Sequence, residues 1–186
     1  MQQYIFAGNT LIFGLVGCFL LYKNLILPGL ICFIASISYA YILASTYIAF
    51  TQNDVYRARY FDWIITTPII LYLILCETDL ELGIVYALMA SSIIMIILGY
   101  FATKSRKHAI LLFCLSCLFL APIIYFLSLN YKNLLAIFTL IIWLIYPIVW
   151  LLTYNRTIDN ETNNQVIAIL DLVAKVGFCI LYYITL

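Results

Sequence analysis

Charge is scarce in this sequence. Of its 186 residues, 9% are Asp, Glu, Lys or Arg, and the formal net charge is +1. A soluble domain carries about 25% charged residues, so a soluble globular fold is excluded. So is a charged disordered chain, and there is no basic surface for nucleic acid. Cysteines are few, at 18, 32, 76, 114, 117 and 179, and imply no disulfide framework. Cys114-Leu-Ser-Cys117 has the C-x-x-C spelling, but a metal centre needs three or four convergent ligands. With His108 the one histidine, no metal site is expected, and helix packing by small side chains is the better reading. Met1-Gln2-Gln3 lacks a positive n-region, so no cleavable signal is expected.

What the sequence has in abundance is apolar surface: 67% of residues are hydrophobic. A membrane helix needs about 20 apolar residues. Apolar runs between polar breaks predict seven spans, at 4–22, 25–50, 55–76, 82–103, 108–129, 132–154 and 164–186. The breaks are Lys23-Asn24, Thr51 to Asp54, Glu77 to Asp79, Lys104 to Lys107, Asn130-Tyr131 and Asn155 to Asn163. Such short breaks make consecutive helices antiparallel neighbours. The runs are too long, and too little alternating, for a strand barrel. The expected fold class is an all-α membrane protein: one seven-helix bundle over residues 1–186, with very short loops and no room for a separate enzyme domain. Its first partner is the lipid bilayer.

Four charges fall inside the spans: Arg59, Asp62, Asp171 and Lys175. A charge at bilayer depth costs roughly 2.5–3.5 kcal/mol, so each is a functional candidate. Two cations and two carboxylates sum to zero, and each is expected to find an opposite partner. Asp171 and Lys175 are i and i+4, on one face of the seventh helix. Arg59, Asp62 and Thr66 share one face of the third. A salt-bridge cluster that only fixes helix register is the structural alternative. Lys175 argues against it, because a deeply buried amine is the usual route to a Schiff base. The sixth span adds Trp143, Tyr146 and Trp150 at i, i+3 and i+7, beside Pro147, an expected kink and hinge. The third adds Tyr60 and Trp63. Rings on two sides of a buried lysine suit a flat conjugated ligand.

At these residues the sequence resembles the microbial (type 1) rhodopsins, in particular the proteorhodopsin-like and short viral members. Arg59 to Pro68, reading RYFDWIITTP, looks like their third-helix signature. Trp143 to Trp150, WLIYPIVW, looks like their sixth, and Asp171 to Phe178, DLVAKVGF, like their seventh. Met95 and Gly99 fit the fourth-helix pocket, and Tyr39 the second-helix tyrosine. The fifth helix aligns only loosely. The resemblance implies all-trans retinal bound to Lys175 as a protonated Schiff base. Asp62 would be counterion and proton acceptor, and Asp171 the second counterion. Arg59 would steady the charges from outside, and Thr66 would hydrogen-bond Asp62. Tyr60, Trp63, Thr67, Ile70, Met95, Gly99, Trp143, Tyr146, Pro147 and Trp150 would wall the chromophore. It also implies a homo-oligomer, a trimer or pentamer, and an outside N-terminus. The Lys/Arg count argues against that orientation: Arg57, Lys104, Arg106, Lys107 and Arg156 then face outward.

Departures from the pump pattern matter as much. Outward proton pumps of this family carry a carboxylic acid eleven residues after the counterion; here that position is Leu73. The glutamates that release the proton are also absent, and the stretch before the seventh helix reads Asn163-Asn164-Gln165. The expected function is therefore not enzymatic: a photoreceptor, acting as a slow light-driven outward proton pump. The alternatives are a sensory rhodopsin signalling through a separate transducer, and a light-gated channel passing protons or cations. The second span has Ser36, Ser38, Tyr39, Tyr41, Ser45 and Thr46 but no acid, which weakens the channel reading.

Overall fold

The structure is a computed structural model that describes residues 2–48, 50–130 and 132–186. Position 49 of the second expected span, Tyr131 of the fifth break and Met1 of the N-terminal reading lie outside the described residues. The helices are α1 (Gln2–Tyr22), α2 (Ile26–Ile48), α3 (Gln52–Leu75), α4 (Leu82–Lys104), α5 (Ala109–Leu129), α6 (Leu134–Tyr154) and α7 (Asn160–Leu172). A π turn (Val173–Gly177) and α8 (Phe178–Thr185) continue the last span. Among the described residues, seven helical stretches are long and apolar enough to cross a membrane, the last of them Asn160–Thr185. Each helix packs on the next, and α7 packs on α1, which closes the ring.

Helix ends are set by polar caps rather than by where hydrophobicity stops. α3 begins at Gln52, ahead of the expected 55, because the Thr51 hydroxyl accepts from the Asp54 backbone N–H at 3.3 Å. α7 begins at Asn160 rather than 164. There the Asp159 carboxylate accepts from the Thr162 N–H at 2.7 Å, and that N–H holds the exposed carboxyl below its ordinary pKa. α6 waits until Leu134, because Asn133 Oδ1 caps it by accepting from Leu135 N at 2.9 Å. Asn24 and Arg156 take left-handed backbone conformations, φ 62° and 57°, just past α1 and α6.

The bundle is apolar outside as well as inside. Leu15, Tyr4 and Ile148 stand on the outer surface, while Phe6, Phe13, Ile31, Ile42, Leu71, Ile74 and Phe178 fill the centre. Lipid is as apolar as leucine, so helices are joined by close packing and a few polar clasps. Asn9 Nδ2 donates to the Ala168 carbonyl at 2.8 Å, tying α1 to α7. Ser116 Oγ donates to Met95 O at 2.8 Å and Ser91 Oγ to Phe119 O at 2.9 Å, tying α4 to α5. α6 runs unbroken through Pro147; the missing N–H leaves the Trp143 carbonyl without its helical donor.

The sequence pattern predicts an uninterrupted seventh helix. The π turn is a departure from it, with Lys175 at its centre. Its last residue, Gly177, lies against α6: a Cβ there would fall 2.8 Å from Phe138 Cζ. Only a residue without a side chain lets the two elements meet so closely. Such π insertions are frequent at functional sites.

Candidate functional site

Lys175 is 3% exposed and Asp62 wholly buried. Lys175 Nζ donates to Asp62 Oδ2, joining the middle of the last span to the middle of α3. Thr66, one turn along α3, donates its hydroxyl to Asp62 Oδ1 at 3.3 Å and to the Asp62 backbone carbonyl at 2.9 Å. Replacing a buried ion pair by apolar groups is often neutral or stabilising. A pair kept at bilayer depth therefore points to chemistry rather than stability.

Asp171 is equally buried, but its partners are neutral. Tyr39 Oη donates to Oδ2 at 2.7 Å, Tyr146 Oη to Oδ1 at 2.8 Å, and Trp63 Nε1 to Oδ1 at 3.0 Å. Among the described residues Lys175 pairs with Asp62 and not with Asp171. The i, i+4 spacing suggested otherwise, but Lys175 sits inside the π turn and not on the plain helix that carries Asp171. Three helices besides its own thus converge on Asp171.

Among the described residues, the expectation that every buried charge meets an opposite one fails for Arg59 as it does for Asp171. Its guanidinium, 3% exposed, faces Asn164: Nη1 donates to Oδ1 at 3.1 Å and Nη2 to the backbone carbonyl at 2.7 Å. Gln52 completes the cluster, exchanging hydrogen bonds with the Asn164 side chain at 3.0 and 2.9 Å. Asn164 lies one turn inside the α7 cap; in sequence it reads as the polar start of the seventh span, where no glutamate stands. An amide can receive an arginine as a carboxylate does, without the countercharge, which is why charge counting missed it.

Between these groups lies a cavity of about 370 Å³. Arg59, Tyr60, Trp63, Thr66, Thr67 and Ile70 of α3 line it, with Met95 and Gly99 of α4, Trp143, Tyr146, Pro147 and Trp150 of α6, and Lys175. Asp62 and Asp171 stand behind this wall. The rings are set edge to face: Tyr60 and Trp63 have centroids 5.0 Å apart at 60°, Trp63 and Tyr146 5.3 Å apart at 79°. Sequence reasoning missed the α5 wall of Phe113, Ser116, Cys117 and Leu120. Phe113 stacks on Trp150 at 4.4 Å and 10°. A phenylalanine or serine in an apolar run carries no distinguishing signal, so only the structure places these residues. Cys117 faces the cavity while Cys114 is exposed. Gly99 keeps the α4 wall flat, since a Cβ there would crowd Tyr60 Cε1 at 3.3 Å.

Away from the cavity, Leu73 is 4% exposed and belongs to the apolar cluster that includes Ile70, Leu71, Ile74, Leu75 and Phe178. On the same side, Cys179 Sγ lies 3.7 Å from Cys32 Sγ.

Fold and site define a seven-helix integral membrane protein with an internal lysine at an aromatic cavity. The family model for bacteriorhodopsin-like protein matches residues 20–186, and the chain belongs to that family, the microbial rhodopsins. It is 33% identical to the bacteriorhodopsin of Halobacterium halobium (strain shark) over 92 residues, 48% of this chain and 44% of that one. Measured by such matches, the chain spans less than half the length of its curated relatives. Among solved structures, Acetabularia rhodopsin I superposes with a TM-score of 0.80 at 26% identity, covering 99% of this chain and 91% of that one. A rhodopsin of Coccomyxa subellipsoidea, described as a light-driven proton pump, superposes with a TM-score of 0.79 at 25% identity, covering 100% and 93%. The family implies a retinal chromophore. The residues here fit one: a slot walled by flat rings, flattened further by Gly99, with a primary amine on its wall.

Proposed function

We propose that this protein is a light-driven outward proton pump with all-trans retinal held on Lys175, and that it refills slowly. The observation that carries the reading is the buried Lys175–Asp62 pair at the wall of the aromatic cavity. Bound to Nζ as a protonated Schiff base, retinal supplies visible absorption and a light-driven movement of the nitrogen. The chain supplies everything else. Asp62 is the carboxylate that touches Nζ and has the fewer donors, so it receives the proton. Asp171 has three donors locked onto it and serves as the fixed countercharge. Thr66 aims Asp62 by holding Oδ1. Tyr60, Trp63, Trp143, Tyr146 and Trp150 confine the ligand and exclude water, which strengthens the electrostatics inside. Arg59, tied to Asn164, holds a positive charge beyond Asp62 and opposes return of the proton along that side.

On the other side Leu73 and its apolar neighbours offer no stored proton, so refilling draws on bulk water. The same seal supports a second reading, a sensory rhodopsin coupled to a separate transducer. The Coccomyxa relative supports the pump. The proposed unit is a single retinal-binding domain with its N-terminus outside, assembled as a trimer or pentamer.

Expression with all-trans retinal, followed by light-induced pH change and voltage-clamp recording, separates these readings. Steady outward current at all voltages is the expected result. Current reversing with the ion gradient identifies a channel, and colour without current a sensor.

A further inference from the structure

The cavity does not end at Arg59. It continues past the ion pair toward the loops after α4 and before α7, where Tyr56, Ser105, Arg106 and Asn163 line it. This outer stretch is rich in donors and poor in countercharge. Arg59 Nε is buried and has no hydrogen-bond partner among the described residues. Asn163 is 6% exposed and lines the same stretch. Arg106 stands exposed at the mouth as a second guanidinium.

No carboxylate lines the cavity among the described residues. The acids of this end are engaged elsewhere. Asp54 sits beside Arg57 at 3.9 Å, Asp159 caps α7, and Glu161 accepts from Gln165 at 3.3 Å. A buried guanidinium N–H without an acceptor is costly, and a cationic, donor-lined pocket concentrates anions. A cation would meet Arg59 and Arg106 and no compensating charge.

We propose that this outer vestibule is a binding site for a small monovalent anion of halide size, held between Arg59, Asn163 and Arg106. A compact ion is chosen because the inner donors are buried: Arg59 is 3% and Asn163 6% exposed, so little of either is open to a bulky ligand. The anion neutralises Arg59 from the side away from Asn164 and so stiffens the contact between α3 and α7. The site is independent of whether Lys175 carries a chromophore.

The test uses the full chain in lipid nanodiscs, with and without retinal. Chloride replaces gluconate at constant ionic strength, and the thermal unfolding midpoint is read. A saturable rise is expected in both preparations. Arg106→Gln should weaken half-saturation about tenfold, the loss of one charge-assisted contact, and Arg106→Lys should restore much of it. Asn163→Leu should weaken it as well. Crystals grown in bromide should show an anomalous scattering peak within hydrogen-bond reach of Arg59. Absence of a saturable rise, equal titrations in wild type, Arg106→Gln and Asn163→Leu, or bromide found only on the outer surface would overturn the proposal. Because the retinal-free protein is titrated too, a colourless chain that binds chloride refutes the pump reading and not this one.

Discussion

Leu73→Glu is the substitution whose outcome reaches furthest. Leu73 lies eleven residues beyond Asp62, and at 1.5 Å per residue the two are about 16 Å apart along α3. Between them the helix presents Ile69, Ile70, Leu71 and Tyr72, of which Ile70 lines the cavity. In the proposed pump, a proton refilling the lysine nitrogen crosses that length from bulk, because none of these side chains is a carboxylic acid. Return of the dark colour after a flash is then first order in bulk protons and slows about tenfold per pH unit. Over two units the wild type should slow about a hundredfold. A glutamate at 73 fills nearly the same volume, and burial keeps its carboxyl protonated, so recovery should become fast and nearly flat with pH. The cost in stability is about 1–3 kcal/mol for burying the polar head, and pigment should still form. Leu73→Gln is the control: it is as polar but carries no proton to give. The assay is flash spectroscopy at several pH values, with and without azide as a diffusible acid. Wild-type recovery that is already fast, independent of pH and indifferent to azide would refute the reasoning. So would equal acceleration by Leu73→Gln and Leu73→Glu.

Other outcomes follow from the same contacts. Asp62→Asn should red-shift the pigment and abolish light-driven acidification; acidifying the wild type should mimic the shift as Asp62 takes a proton, and the variant should lack that titration. Ile70→Gln should shift absorption to the blue from a green wild type, because a polar group beside the ligand favours its ground state; a wild type already blue would show another wall residue dominating. Asn164→Leu strips Arg59 of the Oδ1 hydrogen bond while leaving the one to the backbone carbonyl, and should cost about 1–3 kcal/mol in thermal unfolding. Combined with Arg59→Gln it should cost much less than the sum, and additive losses would show that the two residues act apart.

Much of this was legible in the sequence, and the rest was hidden for physical reasons. Seven apolar runs read directly as seven helices, because backbone polar groups in lipid leave few alternatives. The ends at Gln52 and Asn160 did not, since hydropathy marks the edge of the lipid and a cap marks the end of a helix. Among site residues, Arg59, Asp62, Asp171 and Lys175 stood out because charge at bilayer depth is expensive. The aromatic wall stood out by its spacing. Phe113, Ser116 and Asn164 did not, being ordinary residues in ordinary contexts. The partners of Asp171 could not be read from α7, because they come from α2, α3 and α6. The π turn at Lys175 left no mark in composition or period.

The central claim is that Lys175 carries the chromophore. It is tested most directly by incubating the protein with all-trans retinal, reducing with borohydride, and sequencing the peptides by mass spectrometry. The account predicts one retinyl group, on Lys175, in a coloured protein, and neither label nor colour in Lys175→Ala. A retinyl group on Lys23, Lys104, Lys107 or Lys132, or a Lys175→Ala protein that still takes up retinal and colours, would contradict it.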